Sequence, residues 1–448
     1  MKWERLLTRG RFGEKPTDTN LDSSRSEFEI DYDRIIFSAP FRNLQDKTQV
    51  FPLPDQAFVH TRLTHSLEVS SVGRSLGKEA GARLLAKYPN LQSTGITAYE
   101  MGAIVAAAAL THDIGNPPFG HAGEEAISDF FKFHPMGTCW ESHVRPEQWA
   151  DLCDFEGNAQ GFRMLVSKES GLKLTYATLA AFTKYPRPSF IPHRDISRKS
   201  QKKYGFFINQ LSDFESMGRY LGLEKSSPEC WFRHPLAFLV EAADDICYSI
   251  IDLEDGCTMG LVTFEETVRL LQPILKDKFN PEKLKGKSQS QNLGALRAMA
   301  IGTLIRETVE VFDQYEESMR KGTFDKALTD IIPSAQALGE ITKVSVQKIY
   351  RSKVVLEKEA AGFQVLEGLL SVFSKALYHQ FYNPTNFSGQ DKSILRLLPE
   401  DFPLHKGWGE EVNPYPLLRS LIDFISGMTD KYALNLYRRV KGISFPGS

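Results

Sequence analysis

The sequence predicts an all-α fold, because apolar residues recur with the helical period through most of the chain. In one such segment the positions i, i+4, i+7 and i+11, which share one helix face, are occupied by His65, Val69, Val72 and Leu76. The chain contains no internal repeat and no convincing succession of β-strands. We therefore expect an architecture built from packed helices.

The composition is typical of a soluble globular protein. The chain has 448 residues, of which 42% are hydrophobic and 25% are charged, and this length allows a sizeable core. Its longest apolar run, within residues 101–110, is far shorter than the ~20 residues of a membrane span, and the N-terminus lacks the apolar region of a signal peptide. We expect a cytoplasmic protein without a membrane partner.

The net charge narrows the class of ligand, and the cysteine pattern narrows the kinds of site that the chain can contain. The formal net charge is -2, so a polyanion would have to be bound by a local patch, which favours a small phosphorylated ligand. The five cysteines are odd in number and include no C-x-x-C pair. This pattern indicates neither a disulfide framework nor a thiolate zinc site.

In the first half of the chain, residues 1–30 are polar and rich in Gly, Ser and Thr, which predicts an arm rather than packed core. Residues 129–146 are irregular, and the Pro-rich, then basic, residues 184–203 predict a loop. Helical patterns are predicted for residues 32–50 (a short helix before a Pro-bounded loop at 52–54), 62–76, 99–113, 155–163 and 236–252.

The second half of the chain is also helical in period. The predicted helices are residues 262–275, 293–315, 327–338 and 365–381, followed by two helices within residues 415–441 that meet near residues 426–430. Residues 276–291 form a charged connection that contains Gly and Ser.

Three buried helices are predicted to carry ligands of the type that a divalent cation requires. His112 and Asp113 end the Ala-rich helix of residues 99–113, while His65 and Asp244 lie on two other apolar helices. Taken singly, a core histidine is more often satisfied by a hydrogen bond, and Asp244 could cap a helix or form an ion pair. Together they favour a metal site, because burying so many ionisable groups without a compensating charge is costly.

These residues resemble the H…HD…D signature of the HD-domain metal-dependent phosphohydrolases. The resemblance extends to the deoxyguanosine triphosphate triphosphohydrolase family through residues 61–66, 112–121, 155–158 and 241–246, with a weaker similarity at residues 427–430 and 437–439. It implies an HD-domain helical core over residues 31–260 and a helical C-terminal region, residues 261–448, packed on that core. It also implies hydrolysis of a deoxynucleoside triphosphate, dGTP or several dNTPs, to the deoxynucleoside and tripolyphosphate.

The resemblance assigns roles to individual positions. The metal ligands would be His65, His112, Asp113 and Asp244, the catalytic histidine His121, and the carboxylate that orients it Glu124. Substrate-binding positions would be Gln49, Val50, Tyr248 and Asp252 at the sugar, and Arg62, Asn158, Lys184 and Lys203 at the triphosphate. A carboxylate-held imidazole can protonate a departing oxygen, and a tyrosine ring against C2′ would exclude a ribose hydroxyl.

Two other functions are compatible with the same residues. One is another HD-type nucleotidase or phosphodiesterase, because four metal ligands do not distinguish leaving groups; the other is a regulator that binds nucleotide or single-stranded DNA. The ligand set suits Mn or Mg, or Fe, Co, Ni or Zn. The family resemblance further implies a homo-oligomer such as a hexamer and single-stranded DNA as an effector, for which the basic residues 194–203 are a weak physical indication.

Overall fold

The structure, a computed structural model, describes residues 1–14, 25–50, 60–404, 407–409 and 412–444. The predicted all-α class is confirmed, since these residues form helices and one small two-stranded sheet. The Pro-bounded loop predicted at 52–54 lies outside the described residues. None of the helices in the described part of the chain is long and apolar enough to cross a membrane.

The α-helices of the described residues fall into two runs, before and after the small sheet. The first run is α1 (Trp3–Leu6), α2 (Glu27–Phe37), α3 (Ala39–Asn43), α4 (Arg62–Lys87), α5 (Ala98–Leu110), α6 (His121–Phe133), α7 (Pro135–Thr138), α8 (Pro146–Cys153), α9 (Gly157–Val166), α10 (Tyr176–Phe182) and α11 (Leu211–Leu221). The second run is α12 (Pro235–Thr258), α13 (Phe264–Leu275), α14 (Gln289–Arg320), α15 (Ala335–Val344), α16 (Lys353–Phe381), α17 (Gly389–Leu395), α18 (Tyr415–Ser426) and α19 (Asp430–Val440).

Shorter elements connect these helices. The strands β1 (Lys225–Ser227) and β2 (Cys230–Trp231) pair antiparallel, with Lys225 opposite Trp231. A π-helix, Ser345–Tyr350, lies between α15 and α16. The described 3₁₀-helices are Leu44–Asp46, Pro89–Thr94, Glu141–His143, Lys199–Gln201, Ile208–Gln210, Lys276–Lys278, Pro281–Leu284, Leu328–Asp330 and Pro384–Asn386.

Two hydrophobic cores organise the helices. The larger core forms around α4, α5, α12 and α14, and the smaller one forms where α6 packs against α16 and α18. Helix α6 therefore belongs to the N-terminal half of the chain by sequence but is buried against C-terminal helices. The segment between α5 and α6 passes from the larger core to the smaller one.

Some of the helix predictions are wrong at their boundaries. Helix α5 ends at Leu110 instead of continuing to Asp113, because the backbone bonds become i→i+3 from Thr111 onward. The residues expected to be irregular from 129 onward continue α6 as far as Phe133. The helix predicted over residues 327–338 begins only at Ala335, two residues beyond Pro333, which lacks a backbone N–H and disfavours the helical conformation of the residue before it.

The first residues of the chain are packed, although the sequence predicted an arm outside the core. Trp3 and Leu6 are buried in the larger core, and the indole of Trp3 donates a hydrogen bond of 2.6 Å to Glu316. Arg11 is also buried and donates to Asp31 at 2.7 Å. The polar composition hid these apolar anchors, which pack the described first residues against the core.

The turn after α5 packs directly against the backbone of α9. A Cβ atom at Gly115 would lie 2.1 Å from the amide nitrogen of Gly161 and 2.2 Å from the carbonyl oxygen of Gly157. Backbone atoms cannot move aside as a side chain can, so only glycine allows this approach.

We expect Gly115→Ala to lower the free energy of unfolding by about 3 kcal/mol, because the added methyl group must displace backbone. The matched control is Gly302→Ala in α14, where nothing lies within 4 Å of the added Cβ, and where the substitution should be stabilising by about 0.5 to 1 kcal/mol. Urea unfolding measures both changes. Equal effects in the two variants would contradict the close approach at Gly115.

Candidate active site

A cavity of about 510 Å³ collects the candidate site residues from widely separated parts of the chain. Its walls come from the segment before α4, from α4 itself, from the turn between α5 and α6, and from α12 and α16. Asp252 is the one candidate outside the lining. The candidates that line the cavity are Gln49, Val50, Arg62, His65, His112, Asp113, His121, Glu124, Asn158, Lys184, Lys203, Asp244 and Tyr248.

Four of these residues form a compact cluster of metal-type ligands. The ligand atoms of His65, His112 and Asp113 all lie within 4.8 Å of one another. The Oδ1 atom of Asp244 lies 3.3 Å from Nε2 of His65 and 3.5 Å from Nε2 of His112. The structure thus brings together the four predicted ligands from α4, the turn after α5, and α12.

The orientation of His112 fits a bound cation. Its Nδ1 atom lies 2.7 Å from the carbonyl oxygen of Ala109, which places the ring proton at Nδ1 and leaves the lone pair at Nε2. Among the described residues, the buried Nε2 atom of His112 has no hydrogen-bond partner. A buried, unpartnered imidazole lone pair beside two carboxylates is the donor set that a divalent cation fits.

The charges in this cluster stabilise each other. Burial alone would raise the pKa of Asp113, but the Arg62 guanidinium, with Nη1 2.5 Å from Asp113 Oδ2, holds that pKa below its ordinary value. Burial acts in the same way on Asp244, and the imidazoles of His112 and His65, when they carry a proton, hold its pKa low. Both carboxylates are therefore ionised near neutral pH, as metal ligands must be.

A separate histidine–carboxylate pair stands beside the cluster. His121 begins α6, and its Nδ1 atom lies 2.7 Å from Oε2 of Glu124, while Oε1 of Glu124 accepts a hydrogen bond of 2.7 Å from the backbone N–H of Gly157. The His121 side chain is 82% exposed and belongs to the lining of the cavity. The hydrogen bond from His121 to Glu124 raises the pKa of the imidazole above its ordinary 6.5.

Two tyrosine rings that line the cavity stack on each other. Tyr248 packs against Tyr350 with ring centroids 5.5 Å apart, and the Tyr350 hydroxyl donates to Asp252 at 2.7 Å. Asp252 is only 2% exposed and does not line the cavity. It supports Tyr350 by accepting this hydrogen bond. Within the described residues, the buried Oε1 atom of Gln49 has no hydrogen-bond partner, which leaves an acceptor for a ligand hydroxyl.

The predicted phosphate-binding lysines are paired with carboxylates. The Nζ atom of Lys184 lies 3.4 Å from Glu241, and that of Lys203 lies 3.1 Å from Glu156. The amide of Asn158 also donates to Glu156, at 2.7 Å. A triphosphate would therefore have to compete with these carboxylates for the cations.

Sequence reasoning missed several residues of the cavity. Tyr350 comes from the π-helix, Lys358 and Glu359 come from α16, and Glu156 and Glu241 pair with the lysines. No local pattern marks Tyr350 or Lys358, which reach the cavity only through the packing of the C-terminal helices. Glu156 and Glu241 lie within residues 155–158 and 241–246, which the sequence analysis did single out. The available signal was that Lys184 and Lys203 were predicted at the site without carboxylate partners.

Several cations of the basic loop of residues 194–203 are paired with carboxylates of the chain itself. Arg198 lies 3.3 Å from Asp325, and Lys199 lies 3.1 Å from Asp330. Arg194 donates to the backbone carbonyl of Gln201 at 2.8 Å. The charge available to an external polyanion is therefore smaller than the sequence suggests.

Comparison with known proteins identifies the family. The HD domain matches residues 62–146, and the phosphohydrolase-associated domain matches residues 333–439. A deoxyguanosinetriphosphate triphosphohydrolase-like protein of Synechocystis sp. is 42% identical over 99% of this chain and 100% of its own length, and one of Pseudomonas aeruginosa is 38% identical over 100% of both chains. The deoxyguanosinetriphosphate triphosphohydrolase of Salmonella paratyphi A is 32% identical over 93% of this chain and 94% of its own. This chain therefore belongs to the deoxyguanosine triphosphate triphosphohydrolase family of HD-domain proteins.

Proposed function

We propose that the protein is a metal-dependent triphosphohydrolase that converts dGTP or several dNTPs to the deoxynucleoside and tripolyphosphate. The observation that carries the proposal is the presence, in one cavity, of the His65–His112–Asp113–Asp244 cluster and the separate His121–Glu124 pair. The names of the relatives, which refer to triphosphohydrolases acting on deoxyguanosine triphosphate, support the substrate class.

In the proposed reaction a water oxygen bonds to the α-phosphorus, and the bond from that phosphorus to the 5′ oxygen breaks. His121 supplies the proton that the 5′ oxygen takes up, so that a neutral deoxynucleoside leaves. With Nδ1 of His121 held by Glu124 at 2.7 Å, the proton to be donated is the one on Nε2, which is directed away from Glu124. A carboxylate that raises the pKa of the imidazole above its ordinary value favours the protonated form of this donor.

The four clustered residues would hold one divalent cation, which His121 would not ligate. His121 instead pairs with Glu124, with Nδ1 2.7 Å from Oε2, in agreement with separate roles for binding and proton donation. A divalent cation there would stabilise the negative charge on the phosphate oxygens and lower the pKa of the attacking water.

The cavity contains groups suited to the triphosphate of the substrate and others suited to its sugar. Arg62, Lys184, Lys203 and Lys358 supply cations for the triphosphate. The stacked Tyr248 and Tyr350 form a flat wall for the sugar, on which a ribose 2′ hydroxyl would lack room. Homo-oligomerisation and a single-stranded DNA effector are further expectations from the family, and the mechanism requires neither.

Incubation of the protein with dGTP and Mn²⁺ or Mg²⁺ should yield deoxyguanosine and tripolyphosphate in equal amounts, because attack at the α-phosphorus releases three linked phosphates. Anion-exchange chromatography of the products measures this. Activity should disappear after chelation and return when metal is added. Release of pyrophosphate or single phosphates would instead support another HD-type nucleotidase or phosphodiesterase.

Replacing Glu124 by glutamine should move the alkaline limb of the rate–pH profile to lower pH. Glu124 raises the pKa of His121, and the protonated imidazole is the active form, so activity is present below that pKa and is lost as pH rises through it. Without the carboxylate the pKa of His121 falls toward its ordinary 6.5, and the loss of activity begins at lower pH.

His121→Ala should lower kcat by about 10²- to 10⁴-fold while dNTP binding persists.

An unchanged profile in Glu124→Gln would contradict the proton-donor role of the pair. Retained turnover in His121→Ala would do the same. If nucleotide binds but neither the wild type nor any variant turns it over, the protein is a nucleotide-binding regulator.

Tyr248→Ala should raise the rate with GTP relative to dGTP by about 10-fold or more, because the ring no longer blocks the 2′ hydroxyl. The matched control is Tyr99→Ala, which removes a ring that is 72% exposed and absent from the lining of the cavity. The ratio of kcat/KM for the two nucleotides is the measurement. An unaltered ratio in Tyr248→Ala would remove this residue from sugar selection.

A further inference from the structure

The residues immediately before His121 have an unusual backbone. Phe119 has φ of 65° and Gly120 has φ of 64°, so two consecutive residues lie in the left-handed half of conformational space. Glycine adopts such angles easily, but a phenylalanine rarely does. A conformation of this kind persists only where the surrounding structure holds it in place.

Two parts of the C-terminal region hold Phe119. The first is Asp430, the first residue of α19, whose Oδ1 accepts a hydrogen bond of 3.0 Å from the backbone N–H of Phe119. The second is Gly362 in α16, where an added Cβ would lie 2.8 Å from Cβ of Phe119. The missing side chain at Gly362 thus makes the room that the phenylalanine occupies.

Asp430 also holds a second segment next to the cavity. Its Oδ2 accepts hydrogen bonds from Thr48, at 3.2 Å from the backbone nitrogen and 2.6 Å from the hydroxyl. The next two residues, Gln49 and Val50, line the cavity. One carboxylate therefore joins the segment that faces the sugar to the turn that delivers His121.

A buried lysine reinforces the same junction. Lys47 is 2% exposed, and its Nζ donates to the carbonyl oxygens of Asn116 at 2.6 Å and Ser426 at 2.9 Å. Ser426 ends α18 and Asp430 begins α19. The bond from Lys47 to Ser426 and the bonds accepted by Asp430 therefore both come from the connection between these two helices.

We propose that Asp430 is a positioning residue, through which the connection between α18 and α19 sets the placement of His121 relative to the Gln49–Val50 wall. This inference rests on the proposed function. It predicts that loss of the Asp430 carboxylate disturbs the chemical step while leaving the metal ligands in place, because Asp430 is not a direct partner in the described hydrogen bonds of His65, His112, Asp113 and Asp244.

The decisive variant is Asp430→Asn, which retains one oxygen but cannot accept from Phe119 and Thr48 together. We expect kcat for dGTP to fall by about 10- to 100-fold, as a misplacement of the proton donor would cause, with KM changed by less than about threefold and the bound-metal content unchanged. Hydrogen exchange of the residues 116–122 should become faster, because the Phe119 amide loses its acceptor.

The matched control is Asp391→Asn. Asp391 likewise lies in the first turn of a C-terminal helix and accepts from the backbone N–H and hydroxyl of Ser388, at 2.8 Å each. Its described partners, Ser388 and His379, do not line the cavity, whereas Phe119, which donates to Asp430, does. Asp391→Asn should lower the melting temperature comparably without changing kcat or the exchange of residues 116–122. Gly362→Ala, compared with Gly339→Ala, where nothing lies within 4 Å of the added Cβ, should reproduce the kcat defect through Phe119.

The outcomes separate this inference from the proposed function. If the wild type releases no tripolyphosphate from any dNTP, the function is wrong, while the exchange measurement still tests the role of Asp430. Unchanged exchange of residues 116–122 in Asp430→Asn, or a kcat equal to that of Asp391→Asn, overturns the positioning role. If Asp430→Asn fails to fold, an unaltered kcat and exchange in Gly362→Ala overturn it instead.

Discussion

The tight turn between α5 and α6 is the constraint on which the cavity depends. Its first residues are His112 and Asp113, its end delivers His121, and its middle is fixed by the contact of Gly115 with the backbone of α9. Ten residues, 111–120, thus pass from one hydrophobic core to the other and carry or adjoin the groups for the two proposed chemical roles. Such a turn needs support from outside, since few of its own side chains can stabilise it.

That support comes from both halves of the chain. Helix α9 packs against Gly115, and the Glu124 carboxylate bridges His121 to the first residue of α9. From the C-terminal side, α16 and α19 contact Phe119. The matched HD domain and phosphohydrolase-associated domain therefore share the walls of one cavity, which explains why α6 belongs to the core built on α16 and α18.

Charge balance is the second organising feature of the cavity. Arg62 offsets Asp113, while Glu241 and Glu156 offset Lys184 and Lys203. Burying this many ionised groups is tolerable only because each has a partner at short range. An anionic ligand would replace these carboxylates as the partner of the lysines. The lysines would therefore not have to be buried without a partner before the ligand binds.

The sequence by itself determined the all-α class and the types of the four clustered ligands, because helical period is a local property. The family resemblance supplied the pairing of His121 with Glu124, whose i, i+3 spacing is also local. It could not indicate that Lys184 and Lys203 are already paired, or that Asp252 supports Tyr350 across 98 positions. The contact between Phe119 and Asp430 spans 311 positions. Only tertiary packing decided these contacts, because a side chain meets a partner so distant in the chain when helices from both halves pack around one cavity.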